Sequence, residues 1–158
     1  MLITGAAGSV GRVAVFVAKQ HGAHVIAGVR ASQRAEAESL GADSIVALDD
    51  ESEIASLPEL DAVADMVDHE VIGRIIPHIR KGGVLASVLG IPEAAKGRDL
   101  RVFPLMAKPD AVRLEELARD VADGALRIPI GKRFKLSDIR EAHRLAEKGA
   151  SGKILLTP

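Results

Sequence analysis

The hydrophobic and polar positions of the chain follow two alternating patterns, which are short apolar runs and longer segments with helical periodicity. An apolar run starts at Leu2 and leads into a turn rich in glycine. The segment after the turn predicts a helix, one face of which collects the apolar residues Val10, Val13, Ala14, Val17 and Ala18. Gly22 marks the predicted end of this helix, and residues 24–27 predict a second strand. A strand, a turn, a helix and a strand in this order form a βαβ unit.

The same alternation continues to the end of the chain. Further strands are predicted at 44–48, 60–67, 84–89, 100–106 and 153–157, with an extended segment at 127–134. Helices are predicted from a Ser32 cap to Gly41, over 71–79 and 110–122, and from a Ser137 cap to Gly149, with a turn at 81–83. Because apolar strands alternate with amphipathic helices, we predict an α/β fold, a Rossmann-like doubly wound parallel sheet with helices on both faces.

The glycine turn after the first strand predicts a binding site for a dinucleotide. Gly5, Gly8 and Gly11 lie between the apolar strand and the amphipathic helix. At the start of a helix, unpaired backbone N–H groups and the helix dipole attract anions, and small residues let a phosphate come close to the backbone. The turn therefore predicts a pyrophosphate site. The alternative is a tight turn with a purely structural role.

The end of the second strand carries residues that distinguish NADP(H) from NAD(H). An NAD site usually has an Asp or Glu here, which accepts hydrogen bonds from the ribose. This chain has Gly28 and Val29 instead. Arg30, Ser32 and Arg34 follow, and their guanidinium and hydroxyl groups suit a 2′-phosphate. The pattern favours NADP(H), although arginines at the start of a helix also occur simply as solvated side chains.

Composition narrows the possible classes of protein. The 158 residues suffice for one domain, and a formal net charge of −1, from 21 basic and 22 acidic residues, favours neither nucleic acid nor an acidic membrane as partner. The chain has no Cys, and its five histidines lack the spacing of metal ligands, so we expect no bound metal. The sequence contains no secretory signal pattern and no apolar run that could span a membrane, which predicts a cytoplasmic location.

Residues 4–11, TGAAGSVG, also fit the TGxxGxxG turn of short-chain dehydrogenases and related epimerases. Those enzymes use a YxxxK pair, whose tyrosine acts as the general acid or base. This chain contains no tyrosine, which excludes an ordinary short-chain enzyme and leaves tyrosine-free sensor relatives. A non-catalytic dinucleotide-binding sensor module is therefore an alternative function. A further alternative is an interaction protein that uses no cofactor.

Segments along nearly the whole chain carry motifs of one known family. They are AAGSVG at 6–11, RAEAESLGAD at 34–43, LDAVADMV at 60–67, KGGVLASVLG at 81–90 and EAHRLAEKGASGKILLTP at 141–158. Together they resemble the medium-chain dehydrogenase/reductase superfamily, and in particular its zinc-independent quinone oxidoreductase branch. The chain departs from that branch at Asp68 and His69, where glycine is common, next to the expected position of the nicotinamide ribose.

The resemblance implies an oxidoreductase, similar to quinone oxidoreductases and alcohol dehydrogenases, that transfers a hydride from NADP(H) to a quinone, enone or carbonyl substrate. It also implies three groups of cofactor-binding residues and assigns no catalytic residue. The groups are Ala7, Gly8, Ser9 and Val10 at the pyrophosphate, Arg30, Ser32 and Arg34 at the 2′-phosphate, and Val88, Leu89 and Gly90 at the nicotinamide. Lys148 and Lys153 are weaker candidates, because a lysine that closes a helix usually complements its dipole.

Members of this superfamily carry an N-terminal GroES-like domain that forms the other wall of the cleft, whereas the first strand here begins almost at Met1. We therefore expect residues 1–158 to form an NADP-binding Rossmann domain without the GroES-like domain, and to be inactive alone. The resemblance also implies a homodimer. Residues 100–106 predict an outer strand that is too apolar to remain exposed, which favours edge-to-edge pairing of two copies.

Overall fold

A six-stranded sheet forms the first part of the chain in the computed structural model, which describes residues 1–149 and 152–158. The chain divides into two units, Met1–Pro109 and Asp110–Pro158. The strands of the first unit are β1 (Leu2–Thr4), β2 (Ile26–Val29), β3 (Ser44–Ala47), β4 (Leu60–Asp65), β5 (Ile79–Ser87) and β6 (Leu100–Pro104). Its α-helices are α1 (Ser9–Gln20), α2 (Arg34–Ala37), α3 (Glu51–Ala55) and α4 (His69–Ile75). Its 3₁₀ helices are Ala31–Gln33, Glu38–Leu40, Ile76–His78 and Glu93–Ala95.

The strands lie in the order β3-β2-β1-β4-β5-β6, and all neighbouring strands are parallel. Strand order reverses at β1, because β2 and β3 lie on one side of it and β4 to β6 on the other. Ligands of such sheets bind beyond the carboxyl ends of the strands at the reversal. The predicted Rossmann-like doubly wound sheet is confirmed.

Apolar side chains cover both faces of this sheet. Successive residues of a strand point to opposite faces, so Leu2 and Ile3 of β1 enter different clusters. Leu2 packs in the cluster that contains Ile72 of α4, and Ile3 packs in the cluster that contains Val15 of α1. All four side chains are fully buried. The sheet is therefore a rigid platform whose strand ends position the loops that follow them.

The second unit contains its own two-stranded sheet. Its elements are α5 (Ala111–Ala122), β7 (Ile130–Lys135), the 3₁₀ helix Leu136–Asp138, α6 (Ile139–Glu147) and β8 (Lys153–Thr157). β7 and β8 pair in parallel with each other. That residues 1–158 form one NADP-binding Rossmann domain stays a prediction, but the strands of the six-stranded sheet all lie within Met1–Pro109, and β7 and β8 form a separate sheet. The sequence of β7, IGKRFK, is consistent with this result, because a strand covered on both faces would be continuously apolar and here only Phe134 is buried.

Two predicted helix caps are wrong. Ser32 lies inside the 3₁₀ helix Ala31–Gln33, and Ser137 lies inside the 3₁₀ helix before α6. In the first case a distant residue takes over the capping contact, because the N–H of Ala31 donates to Asp49 Oδ1 at 2.7 Å. The predicted helix end at Gly41 is confirmed, with φ at +74°.

Helix α3 is an addition to the predicted elements. It is only five residues long, and its sequence, ESEIA, contains too few apolar positions for a helical periodicity. Its signal is the cap instead. Asp50 accepts hydrogen bonds from the N–H groups of Ser52 and Glu53, the pattern of a capped helix start.

The predicted turn at 81–83 lies inside β5 rather than before it. Pairing with β4 shifts at this point, since Leu60 lies opposite Ile79 whereas Ala62 lies opposite Val84. The glycines therefore mark a bulge, the other common meaning of glycine within an apolar strand.

Candidate dinucleotide site

A groove of about 510 Å³ lies beyond the carboxyl ends of β1 to β4, within the first unit. Its volume is in the range of about 300–1,000 Å³ that is common for ligand sites. Its lining residues come from the loop after each of these strands and from α4. They are Gly5, Gly8, Val29, Arg30, Gln33, Leu48, Asp49, Met66, Val67, Asp68, Val71 and Arg74.

The glycine turn packs tightly against the start of α1. Gly5 has a φ of +61°, a conformation that side chains rarely adopt. A Cβ atom on Gly11 would lie 2.2 Å from the carbonyl oxygen of Gly5, and one on Gly8 would lie 3.1 Å from the same atom. A side chain at Gly11 would therefore push α1 away from the turn. The close packing brings the first turn of the helix to the groove, which Gly5 and Gly8 line.

The N-terminus of α1 fits an anionic ligand. Its N-cap is Gly8, which has no side chain to accept a hydrogen bond from the first N–H groups, and its first turn contains no acidic residue. The positive end of the helix dipole therefore meets no carboxylate of its own helix. This arrangement fits the pyrophosphate of a dinucleotide.

A buried arginine forms a hydrogen bond to the backbone of the glycine turn. Arg12 of α1 is only 5% exposed, and its Nε donates to the carbonyl oxygen of Ala7 at 2.9 Å. Its NH2 group forms an ion pair with Glu36 of α2. Ala7 is buried, so only its backbone contributes to the turn. Arg12 thereby connects the turn to two helices.

The β2–β3 end of the groove is rich in charged groups. Arg30 lines it next to Gln33, whose Oε1 accepts a hydrogen bond from the Arg30 backbone N–H at 3.2 Å. Asp49, two residues after the end of β3, also lines it, and the Ala31 N–H donates to its carboxylate. Arg74 lines the groove from α4 and forms an ion pair with Glu51. Both signs of charge therefore meet at this end.

Arg34 is engaged in an ion pair outside the lining of the groove. Its NH2 group donates to both carboxylate oxygens of Glu53, at 2.5 and 2.6 Å. The N–H of Ala47 donates to Oε2 of the same carboxylate at 2.8 Å. The hydrogen bond from Ala47, followed by that from Arg34, holds the pKa of Glu53 below its ordinary value.

A buried carboxylate organises the opposite end. Asp65 is fully buried at the end of β4, and it accepts hydrogen bonds from the hydroxyl groups of Thr4 at 3.0 Å and Ser87 at 2.8 Å. The N–H of Val67 donates to it at 3.2 Å. Leu89, after β5, donates its N–H to the Ser87 hydroxyl at 3.2 Å. One carboxylate thus anchors the loops after both β4 and β5.

Of the residues predicted for the cofactor, Gly8 and Arg30 line the groove. The others lie outside its lining, and the prediction that they contact a cofactor stays a prediction. They are Ala7, Ser9, Val10, Ser32, Arg34, Val88, Leu89 and Gly90. Asp49 and Arg74 are groove residues that the sequence patterns did not indicate, whereas Asp68 was already expected close to the nicotinamide ribose. The position of Asp49 just after a strand is the signal that could have identified it.

A family profile described as zinc-binding dehydrogenase matches residues 40–156. The chain belongs to this family. Its fold and motifs confirm the resemblance to the medium-chain dehydrogenase/reductase superfamily and its quinone oxidoreductase-like branch. Members of this zinc-binding dehydrogenase family bind a nicotinamide dinucleotide, which agrees with the fit of the groove to such a ligand.

Individual relatives of the chain are named as oxidoreductases. The chloroplast envelope quinone oxidoreductase homolog of Arabidopsis thaliana is 28% identical over 171 residues, which cover 100% of this chain and 52% of the relative. The structure of the quinone oxidoreductase from Coxiella burnetii is 31% identical with a TM-score of 0.88, and the match covers 99% of this chain and 52% of that one. An NAD-dependent alcohol dehydrogenase is 26% identical with a TM-score of 0.81, over 99% and 50% of the two chains.

The chain spans about half the length of the relatives it matches. Despite the family's description, the chain has no Cys, and within residues 1–149 and 152–158 no group of three or more His, Asp or Glu side chains could hold a metal ion. In the same part of the chain, no helix is both long and apolar enough to cross a membrane.

Proposed function

We propose that this chain binds NADP(H) in the groove and forms the cofactor-binding half of an oxidoreductase. The observation that carries the proposal is the packing of the glycine turn at the head of the groove, where Gly11 has no room for a side chain and α1 directs its first turn to the ligand. Membership of the zinc-binding dehydrogenase family supports the same function. The hydride acceptor that we propose is a quinone, an enone or another carbonyl compound.

The residues of the chain bind and orient the cofactor, and the bound nicotinamide supplies the hydride. The backbone around Gly8 holds the pyrophosphate against the first turn of α1. Arg30 provides the positive charge for the 2′-phosphate at the β2–β3 end. Asp65 keeps the loops after β4 and β5 in place, and these loops position the nicotinamide end. Fixed positions of this kind lower the entropic cost of reaching the reactive arrangement.

The names of the relatives support a hydride transfer but differ in the acceptor and the cofactor. They include quinone oxidoreductases, an NAD-dependent alcohol dehydrogenase and the CurK enoyl reductase, which is 26% identical with a TM-score of 0.76. A GroES-like domain would supply the other wall of the cleft and most contacts to the acceptor. The cytoplasmic location stays a prediction, since one relative has the words chloroplast envelope in its name.

Titration of the chain with NADPH and NADH by calorimetry in low-salt buffer tests the proposed function. We expect NADPH to bind more tightly than NADH, and Arg30→Ala to weaken NADPH about tenfold with little effect on NADH, because one charge-assisted hydrogen bond is lost. Arg80→Ala is the matched control, since Arg80 pairs with Asp61 at the amino end of the sheet. A parent chain that binds neither cofactor would disprove the function, and an unchanged ratio in Arg30→Ala would disprove the role of Arg30.

We also propose that the protein forms a homodimer through β6. This strand pairs with β5 and forms an edge of the sheet, and Phe103 in it is 52% exposed. Met106, which follows the strand, is 82% exposed. Covering these apolar side chains and the free strand edge favours pairing with a second copy. We expect light scattering to show a dimer at tens of micromolar; a monomer at that concentration would contradict the assignment.

A further inference from the structure

The backbone of Arg34 directly follows a residue that lines the groove, although its guanidinium group lies outside the lining and contacts Glu53. It is the first residue of α2, directly after the 3₁₀ helix Ala31–Gln33. Arg30 and Gln33, which precede it in the chain, both line the groove. The long arginine side chain is therefore attached close to the site of the 2′-phosphate, while its charge is engaged by Glu53.

Of the two partners, Glu53 is the better anchored. Its carboxylate accepts the N–H of the buried Ala47 in the edge strand β3, as well as two contacts from Arg34. The Arg34 side chain is 42% exposed, and among the described residues its guanidinium forms hydrogen bonds only with Glu53, while Asp50 interacts with it electrostatically. Exposed ion pairs are weak, because water solvates both partners. Arg34 can therefore leave the pair, whereas Glu53 keeps its contact with the strand.

The acidic segment around α3 repeats this arrangement. Glu51 pairs with Arg74, which lines the groove, and Asp49 contributes a carboxylate to the groove itself. An arginine that already pairs with a carboxylate presents little net charge to an incoming phosphate. The segment thus lowers the positive potential at the end of the groove where a 2′-phosphate would bind.

We propose that Glu53 is a specificity-determining residue that competes with the 2′-phosphate of NADP(H) for the guanidinium group of Arg34. This inference rests on the proposed function. Binding of NADP(H) requires Arg34 to exchange a carboxylate for a phosphate, whereas binding of NAD(H) leaves the ion pair intact. Glu53 thereby limits how strongly the chain prefers NADP(H).

Calorimetric titration of Glu53→Gln with NADPH and NADH tests the proposal. The amide oxygen of glutamine still accepts the N–H of Ala47, but the side chain no longer carries a charge. We expect NADPH to bind about three- to tenfold more tightly than to the parent and NADH to be unchanged, since Arg34 becomes free for a charge-assisted hydrogen bond. In the double variant Glu53→Gln with Arg34→Ala, this gain disappears.

Asp61→Asn is the matched control, because it removes a carboxylate from an arginine at the amino end of the sheet, and we expect no change in either affinity. If Glu53→Gln is not folded, as judged by urea unfolding, Glu53→Ser is used instead; it also removes the charge, but its shorter side chain does not keep the hydrogen bond to the Ala47 N–H. If the parent binds NADPH and the folded Glu53→Gln variant has the same ratio of NADPH to NADH affinity as the parent, the proposed competition is wrong, while the proposed function is unaffected. A parent that binds neither cofactor overturns the proposed function together with it.

Discussion

At the β2–β3 end of the groove, carboxylates lie near the surface and pair with arginines, whereas beyond β4 a carboxylate is buried among hydroxyl and N–H groups. Glu51, near the first end, is 74% exposed, and Asp65 is fully buried. Both carry the same functional group. Their surroundings differ, and these surroundings determine how easily each carboxylate can exchange its hydrogen-bond or ion-pair partner.

The physical reason is the solvent. Water competes for both members of an exposed ion pair, so such a pair stabilises a protein by about 0–1 kcal/mol and its partners exchange readily. A buried carboxylate has no water to replace a lost partner, and each hydrogen bond to it contributes about 1.5–3 kcal/mol. The exposed end is therefore suited to selecting a ligand, and the buried end to keeping loops in a fixed position.

The largest expected effect on the free energy of unfolding comes from removing the buried carboxylate of Asp65. Asp65→Ala leaves the hydroxyl groups of Thr4 and Ser87 and the N–H of Val67 without their acceptor. We expect the free energy of unfolding to fall by about 3 kcal/mol or more. Urea unfolding measures it. Asp65→Asn, which keeps one acceptor oxygen, is the control and should lose less; an Asp65→Ala chain as stable as the parent would contradict the positioning role.

A much smaller effect is expected from the exposed end. Glu51→Gln removes the charge that pairs with Arg74 but keeps a polar side chain. Because Glu51 is mostly exposed, we expect the free energy of unfolding to change by at most about 1 kcal/mol in the same urea experiment. A loss as large as that of Asp65→Ala would mean that burial does not separate the two kinds of carboxylate.

The smallest effect is expected from the pH response of an exposed carboxylate. The hydrogen bond from Lys19, followed by that from the Val25 N–H, lowers the pKa of Asp43 from 3.8 to about 2. A lowered pKa stabilises the folded chain above the ordinary value, and this contribution is lost as the pH falls from 3.8 towards about 2. We expect Asp43→Asn to reduce the loss of stability in this window, measured by unfolding at a series of pH values. A parallel pH profile for variant and parent would contradict the assignment.

The local pattern of the sequence determined much of the fold. Apolar runs alternating with helical periodicity predicted the parallel sheet, because burial on both faces requires such strands. The glycine turn was equally predictable. Gly5 needs a positive φ and Gly11 needs close packing, and both requirements leave a direct mark on the sequence.

Only the tertiary structure decided which charged groups meet. Arg34 and Glu53 are 19 residues apart and pair because β2 and β3 are neighbours. Asp65 is 61 residues from Thr4 and 22 from Ser87, and the three meet where parallel strands end side by side. Periodicity records which face of an element is buried, but it carries no information on which elements become neighbours. The role of each carboxylate depends on those neighbours and on the access of water.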